Sequence, residues 1–159
     1  MVSRGPESGT RATFERKVLG HAELALTSDS CTAPERAKQA PFVRCERTTT
    51  DQQLATVAAT SGAIGYADTP AVNAAIAHNT AIAPVPLDGR YPDLSTISTG
   101  HPFWTVEYLY TRGVPSNDAV LKNLLDYLNN GTARAELQDA GYTPCVTKTA
   151  LVLPLCNTE

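Results

Sequence analysis

Short apolar or β-branched runs alternate with helical stretches along the chain, and this alternation most constrains the fold. We predict strands that end at Ser3 or cover residues 63–67, 81–85 and 103–111, and helices over residues 10–19, 50–60, 69–78, 116–129 and 132–140. Thr50 is predicted to cap the second helix with Gln53 at its capping-box position, and Ser116 to cap the fourth. Strands that alternate with helices predict an α/β protein.

The balance of charges argues against two classes of partner. The chain has 13 Lys and Arg against 16 Asp and Glu, a formal net charge of −3. A general nucleic-acid binder or a protein that binds anionic membranes needs a basic face, so we expect neither. The sequence also lacks the run of about 18 apolar residues that a transmembrane helix requires.

Four cysteines fall as two local pairs, Cys31 with Cys45 and Cys145 with Cys156. The chain has no CxxC spacing and no histidine at ligand spacing from either pair, so we expect no zinc or other metal site. The even count and loop context favour two short-loop disulfides and an exported protein (secreted, cell-surface or periplasmic), whose signal peptide would lie outside these residues. The alternative is four thiols in a cytosolic protein.

The segment from Arg4 to Thr10 lies between a predicted strand end and a predicted helix start. There the amides of Gly9, Thr10 and Arg11 are expected to point outward at the positive end of the helix dipole. Ser8 and Thr10 add hydroxyl groups, and Arg4 offers a planar guanidinium to two oxygens of an oxyanion. The segment therefore predicts an anion site. The alternative is an ordinary helix N-cap with Arg4 in solvent.

Catalytic interpretations of the same turn fail on spacing. The position five residues after Gly5 is Thr10 and no Lys follows it, so the turn is not a P-loop. Ser8 does not have the G-x-S-x-G context of a nucleophile elbow, and no histidine is recognisable as its base. We therefore expect a binding protein rather than an enzyme, with no cofactor.

Several motifs together resemble one family. The pattern Arg4-x-x-x-Ser8-Gly9-Thr10-Arg11-x-x-Phe14 is similar to a signature of the PstS-like phosphate-binding proteins of ABC importers. Residues 57–68, VAATSGAIGYAD, resemble a second stretch of that family, with Gly65 expected to permit close packing and Tyr66 to lie in the core. Residues 102–110, the helix around 124–128 and the sequence at 140–144 resemble its closing elements.

The resemblance implies a type II periplasmic-binding-protein fold, in which two α/β lobes close on a ligand. Residues 1–98 would be part of the second lobe with the oxyanion loop, and residues 99–159 the returning C-terminal portion of the first. Because two lobes need roughly twice this chain, the family's N-terminal half would lie outside these residues. Arg4, Ser8, Gly9 and Thr10 fall on ligand-binding positions, for phosphate or a related oxyanion delivered to an ABC permease.

Two positions depart from the family pattern. Glu7 stands where the family usually has Gly, and Pro6 where it often has an acidic residue. A carboxylate beside an anion lowers affinity unless it points away, pairs with Arg4 or Arg11, or accepts a hydrogen bond from a protonated ligand. The alternative function is therefore a PstS-like sensor or interaction module with a decayed site. Exposed sheet edges would favour a homodimer or strand exchange.

Overall fold

The structure is a computed structural model that describes residues 1–114, 118–146 and 152–157. It forms two compact units, Met1–Trp104 and Thr105–Glu159. Helices and a small parallel sheet make it a mixed protein, which is compatible with the predicted α/β class. The type II periplasmic-binding-protein fold and its lobe boundaries remain predictions. No helix within the described residues has both the length and the apolar character to cross a bilayer.

The first unit is built on a pair of parallel strands, β1 (Val2–Arg4) and β2 (Cys45–Arg47). The register places Val2 beside Cys45 and Arg4 beside Arg47. Strand β1 was predicted to end at Ser3, and it ends one residue later, at Arg4. Strand β2 is not among the predicted strands. Its signal was weak, since two of the three residues in β2 are charged.

The predicted helix over residues 10–19 is confirmed in extent. Helix α1 (Gly9–Phe14) continues as a π-helical turn (Glu15–Leu19), and Gly20 ends it with a φ of 72°. That left-handed conformation favours glycine. Because β1 ends at Arg4 and α1 begins at Gly9, the connection between them is only four residues long.

Helix α2 (Thr50–Ala59) begins where it was expected, but its cap lies one residue earlier than predicted. Thr49 is the N-cap, and Gln52 completes the capping box by accepting from the Thr49 amide. Gln53 has another role: it is fully buried, and its Nε2 donates to the carbonyl oxygen of Val2 at 2.8 Å. Leu54, the next residue, is also buried.

The predicted strand over residues 63–67 is absent. The amide of Val2 donates to Ile64 O at 2.8 Å, but no ladder extends this bond, and the Ile64 side chain is 55% exposed. Gly65 explains the close approach here: a Cβ on it would lie 3.0 Å from Val57 Cγ2 and 3.2 Å from Val2 O. Tyr66 is buried. The packing role of Gly65 and the core position of Tyr66 are thus confirmed.

Helix α3 (Thr69–Ala77) is confirmed, with Asp68 as its N-cap and a proline in its first turn. The predicted strand over residues 81–85 is not formed, and Val85 is largely exposed. Prolines at 84 and 86 interrupt the amide donors that a ladder needs. A short helix that was not predicted, α4 (Leu94–Ser98), follows.

The core of the first unit is small and includes a disulfide. Cys31 and Cys45 are bonded and buried with Val2. Val57 and Ala63 pack against this cluster. The predicted Cys31–Cys45 disulfide is therefore present, and it ties the loop after the first helix to strand β2.

The second unit contains helices α5 (Ala119–Leu128) and α6 (Gly131–Asp139), a 3-10 turn (Pro154–Asn157) and the predicted Cys145–Cys156 disulfide. Asp118 caps α5, and Ser116 lies outside the described residues. Helix α6 begins one residue earlier than predicted, with Asn130 as its cap.

Residues 103–111 were predicted to form a strand from their β-branched and aromatic residues, and they form none. Tyr108, Leu109 and Tyr110 are exposed, and no ladder partner lies beside them in the described part of the chain. A strand needs a neighbour that satisfies its backbone, which β-branched and aromatic composition cannot supply.

Candidate functional site

The turn between β1 and α1 is held by two local hydrogen bonds. The amide of Ser8 donates to Gly5 O at 3.1 Å. The Ser8 hydroxyl caps the helix by accepting from the Arg11 amide at 3.3 Å. The Arg11 amide, predicted to point outward, is therefore already bound. The amide is not available to a ligand because serine is a preferred N-cap residue, and its hydroxyl accepts from this amide.

The amides of Gly9 and Thr10 are in a different situation. Neither has a hydrogen-bond acceptor among the described residues, since the first bond of the helix runs from the Ala12 amide to Ser8 O. Gly9 has open space where a Cβ would stand. Two amides at the positive end of a helix thus remain without an acceptor, as the sequence predicted.

Arg4, at the end of β1, is held at both its backbone and its side chain. Its Nη1 donates to Thr50 Oγ1 at 2.6 Å, and its Nη2 donates to Thr48 O at 2.8 Å. Its Nε is buried and has no partner in the described part of the chain. The guanidinium is therefore fixed against the start of α2. The N-cap alternative, which placed Arg4 in solvent, is wrong on this point.

No carboxylate pairs with Arg4 among the described residues. Its two acceptors are a hydroxyl and a carbonyl, and both are neutral. The positive charge of Arg4 is therefore oriented but not neutralised, which is the state in which a guanidinium attracts an oxyanion.

Arg11, the next arginine of the motif, is fully engaged. It pairs with Glu15 at 3.0 Å, Glu23 at 3.3 Å and Glu46 at 2.6 Å, and its Nη1 also donates to Arg4 O at 3.1 Å. Burial alone lowers the pKa of Arg11, but the hydrogen bond to Glu15 and the charges of Glu23 and Glu46 raise it by more. Arg11 therefore holds the backbone of the turn and has no charge to spare for a ligand.

A buried cluster of charges surrounds Arg11. Arg44 pairs with both Glu23 and Glu46, and the side chains of Glu23 and Arg44 are 1% and 4% exposed. Ser3 Oγ donates to Glu23 as well, at 3.0 Å. Sequence reasoning missed this cluster. Only the spacing of Arg11 and Glu15, four residues apart on one helix, signalled any part of it.

Glu7 folds back onto the turn. A Cβ on Gly5 would stand 2.5 Å from Glu7 Oε1, so the carboxylate occupies the space that glycine leaves open. Glu7 is exposed and forms no ion pair with Arg4 or Arg11. The pairing that would have neutralised its charge is thus absent from this part of the structure.

Tyr66 contacts residues on both sides of the turn, Arg4 on β1 and Phe14 on the first helix. Its hydroxyl accepts from the Arg4 amide at 3.1 Å, and its ring stacks on Phe14 with 4.4 Å between the ring centroids. Burial raises the pKa of Tyr66 to about 12, so the phenol is neutral at physiological pH. Tyr66 therefore acts as a core residue that fixes the position of Arg4.

The four predicted site residues thus lie in one strand–turn–helix segment, with Arg4 at the end of β1, Ser8, Gly9 and Thr10 at the helix start, and the Arg4 guanidinium bound to the start of α2. They present two free amides, a capping hydroxyl, a threonine side chain and one guanidinium. This donor set suits a small anion held by hydrogen bonds. Across residues 1–114, 118–146 and 152–157, no group of three or more His, Cys, Asp or Glu could hold a metal ion.

Comparison with known proteins gives one distant relative. Over 148 residues the chain is 29% identical to the phosphate-binding protein PstS of Bacillus subtilis (strain 168). The match covers 91% of this chain and 41% of that protein, so the chain spans less than half the length of the curated relative it matches. No protein-family model and no solved structure matches the chain. The chain is therefore similar to a phosphate-binding protein along most of its length, at low identity.

Proposed function

We propose that the protein is an extracellular or periplasmic solute-binding protein that captures phosphate or a related oxyanion for import by an ABC permease. The observation that carries the proposal is the Arg4–Thr10 turn, where a guanidinium without a carboxylate partner among the described residues lies close in sequence to two free helix amides. The distant likeness to a phosphate-binding protein supports it.

The role of the turn in this proposal is binding and not catalysis. The oxyanion accepts hydrogen bonds from the amides of Gly9 and Thr10 and from the hydroxyl of Ser8, which keeps its own proton while it caps the helix. Arg4 contributes the opposing charge. A desolvated anion needs many donors and a paired charge to offset the loss of its hydration, and this turn offers both.

The two disulfides support the location. Both close short loops, with the cysteines 14 and 11 residues apart in sequence. Disulfides of this kind persist in oxidising compartments outside the cytosol. An exported binding protein meets its ligand there.

Isothermal titration of the protein, as its native host makes it, tests the proposal. We expect heat on addition of phosphate or of a related oxyanion among sulfate, arsenate and phosphonates. Arg4→Ala should weaken that binding about tenfold or more, because hydrogen bonds to charged groups contribute about 1.5–3 kcal/mol. Arg36→Ala, which removes an exposed arginine paired with Asp29, is the control and should bind as the wild type does. Absence of heat with every anion would reject the proposal.

The second candidate function is a sensor or interaction module with a decayed ligand site. The specific observation in its favour is Glu7, whose carboxylate lies within the turn and has no arginine partner there. On this reading the wild type binds none of the anions, and Glu7→Gln restores measurable binding by removing the repulsive charge. Tight phosphate binding by the wild type excludes it.

A further inference from the structure

We propose that Thr50 is a positioning residue for the candidate anion site, because its hydroxyl holds the guanidinium of Arg4 without neutralising it. This inference rests on the proposed function. It adds to that function a residue that lies outside the turn, on the first position of helix α2.

The contact is specific and long in sequence. Arg4 Nη1 donates to Thr50 Oγ1 at 2.6 Å across 46 residues, and the neighbouring Thr48 carbonyl receives Nη2 at 2.8 Å. Two donors on different nitrogens fix both the position and the plane of the guanidinium. The start of α2 thus provides a rigid, uncharged support for Arg4.

The neutrality of this support, which Arg47 shares, distinguishes Arg4 from three other arginines of the first unit. Arg11 pairs with Glu15, Glu23 and Glu46, Arg44 with Glu23 and Glu46, and Arg36 with Asp29. Each of these guanidinium groups has a carboxylate to offset its charge. Arg4 is oriented by oxygen atoms that carry no formal charge, so its attraction for an anion is not reduced.

Thr50 is not needed to cap its own helix. Thr49 accepts from the Gln52 amide at 3.2 Å, and Gln52 accepts from the Thr49 amide at 3.4 Å, so the capping box is complete without Thr50. A substitution at Thr50 can therefore remove the contact with Arg4 and leave the helix start intact.

The backbone of Arg4 is fixed independently. Its amide donates to Tyr66 Oη and its carbonyl accepts from Arg11 Nη1. With the backbone held, the contacts to Thr50 Oγ1 and Thr48 O determine where the end of the side chain lies, and of these two only the Thr50 contact can be removed by a side-chain substitution. Pre-orienting a binding group in this way raises affinity because less conformational freedom is lost when the ligand arrives.

Phosphate titrations of three threonine variants test the assignment. Thr50→Val keeps the shape of the side chain and removes the acceptor, and we expect about a tenfold loss of affinity. Thr50→Ser keeps the hydroxyl and should rescue binding. Thr56→Val makes the same change on the same helix, where the hydroxyl accepts from Arg47 Nε at 3.0 Å instead, and should leave the affinity unchanged.

A fourth variant separates positioning from structural support. Thr50→Asp preserves the hydrogen bond to Arg4 but adds a negative charge in the first helical turn, where a carboxylate is favourable. We expect its melting temperature to equal or exceed that of the wild type while phosphate affinity falls by more than in Thr50→Val. A purely structural role for Thr50 predicts no such separation.

The outcomes are distinguishable. If the wild type binds phosphate and both Thr50→Val and Thr50→Asp bind equally well, the positioning role is wrong and the proposed function stands. If Thr50→Val fails to fold, Thr50→Asp decides in the same way. If the wild type binds no oxyanion, the proposed function fails and this inference fails with it.

Discussion

The hydroxyl of Tyr66 accepts a hydrogen bond from the backbone amide of Arg4 at 3.1 Å, across 62 residues of sequence. Tyr66 is 6% exposed, and its ring stacks on Phe14 of the first helix. A core side chain therefore satisfies a backbone donor at the end of β1, next to the candidate site. This contact makes the stability of the unit and the placement of Arg4 depend on the same residue.

Tyr66→Phe should lower the free energy of unfolding by about 1–3 kcal/mol, because it leaves the Arg4 amide without its acceptor. Urea denaturation measures the change. The control is Tyr108→Phe, whose exposed hydroxyl donates to Cys156 O at 3.4 Å, and it should change stability by no more than about 0.5 kcal/mol. Equal midpoints for the two variants would contradict this role of Tyr66.

Glu23→Gln should destabilise the protein by about 3–5 kcal/mol, since removing one member of a buried ion pair leaves Arg44 charged and poorly compensated. Thermal or urea unfolding gives the comparison. Asp29→Asn breaks the exposed pair with Arg36 and should cost about 1 kcal/mol at most. If both variants cost the same, the buried cluster contributes no more than a surface pair.

Glu35 gives a pH-dependent prediction. Hydrogen bonds from the hydroxyls of Ser30 and Ser28 lower the pKa of Glu35 to about 2, from an ordinary value of 4.5. A carboxyl whose pKa is lowered by folding stabilises the protein above its unfolded-state pKa. That contribution is therefore present at neutral pH and is lost as the pH falls from about 4.5 towards 2.

Titration of the Glu35 carboxyl by NMR checks this directly, and Ser30→Ala should move its pKa upward. Ser95→Ala is the matched control, because the Ser95 hydroxyl lowers the pKa of Asp93 instead. It should raise the pKa of Asp93 and leave that of Glu35 in place. An unchanged Glu35 pKa in Ser30→Ala would show that the Ser30 hydroxyl does not cause the lowered pKa of Glu35.

Gly65→Ala should cost about 1–3 kcal/mol, because its Cβ would stand 3.0 Å from Val57 Cγ2 and 3.2 Å from Val2 O. Gly131, at the start of α6, has nothing within 4 Å of a Cβ and no left-handed φ. Gly131→Ala should therefore be neutral or stabilise by a few tenths of a kcal/mol. Calorimetric melting of both variants tests the contrast. A melting temperature of Gly65→Ala equal to that of the wild type would refute it.

Helices could be predicted from the sequence because the signals that start and stop them are local. Gly20 ends the first helix in a left-handed conformation, and the proline after Thr69 lies in the first turn of α3. The one-residue error at α2 also has a local origin: three consecutive threonines offer equivalent hydroxyls, and the contact with Arg4 engages the third of them.

Strands were predicted poorly because a strand depends on a partner that sequence composition does not reveal. Residues 103–111 have the composition of a strand and no neighbour in the described part of the chain. Strand β2 has a neighbour but the wrong composition, since Glu46 faces the charges of Arg11 and Arg44 rather than an apolar core.

The candidate site likewise combines local features that the sequence could predict with distant contacts that it could not. The turn, the cap at Ser8 and the free amides of Gly9 and Thr10 follow from residues within one helical turn of each other. The acceptors of Arg4 at Thr48 and Thr50, and two of the carboxylates around Arg11, those of Glu23 and Glu46, lie too far along the chain for spacing to reveal. Only the folded chain brings them together.

The register of the two strands has an electrostatic consequence. Parallel partners direct their side chains to the same face, so Arg4 and Arg47 place two positive charges at one end of the sheet, and neither has a carboxylate partner among the described residues. Dissolved salt screens their mutual repulsion and also screens the attraction between Arg36 and Asp29. Raising the ionic strength therefore stabilises the end of the sheet at Arg4 and Arg47, and it weakens the surface ion pair between Arg36 and Asp29.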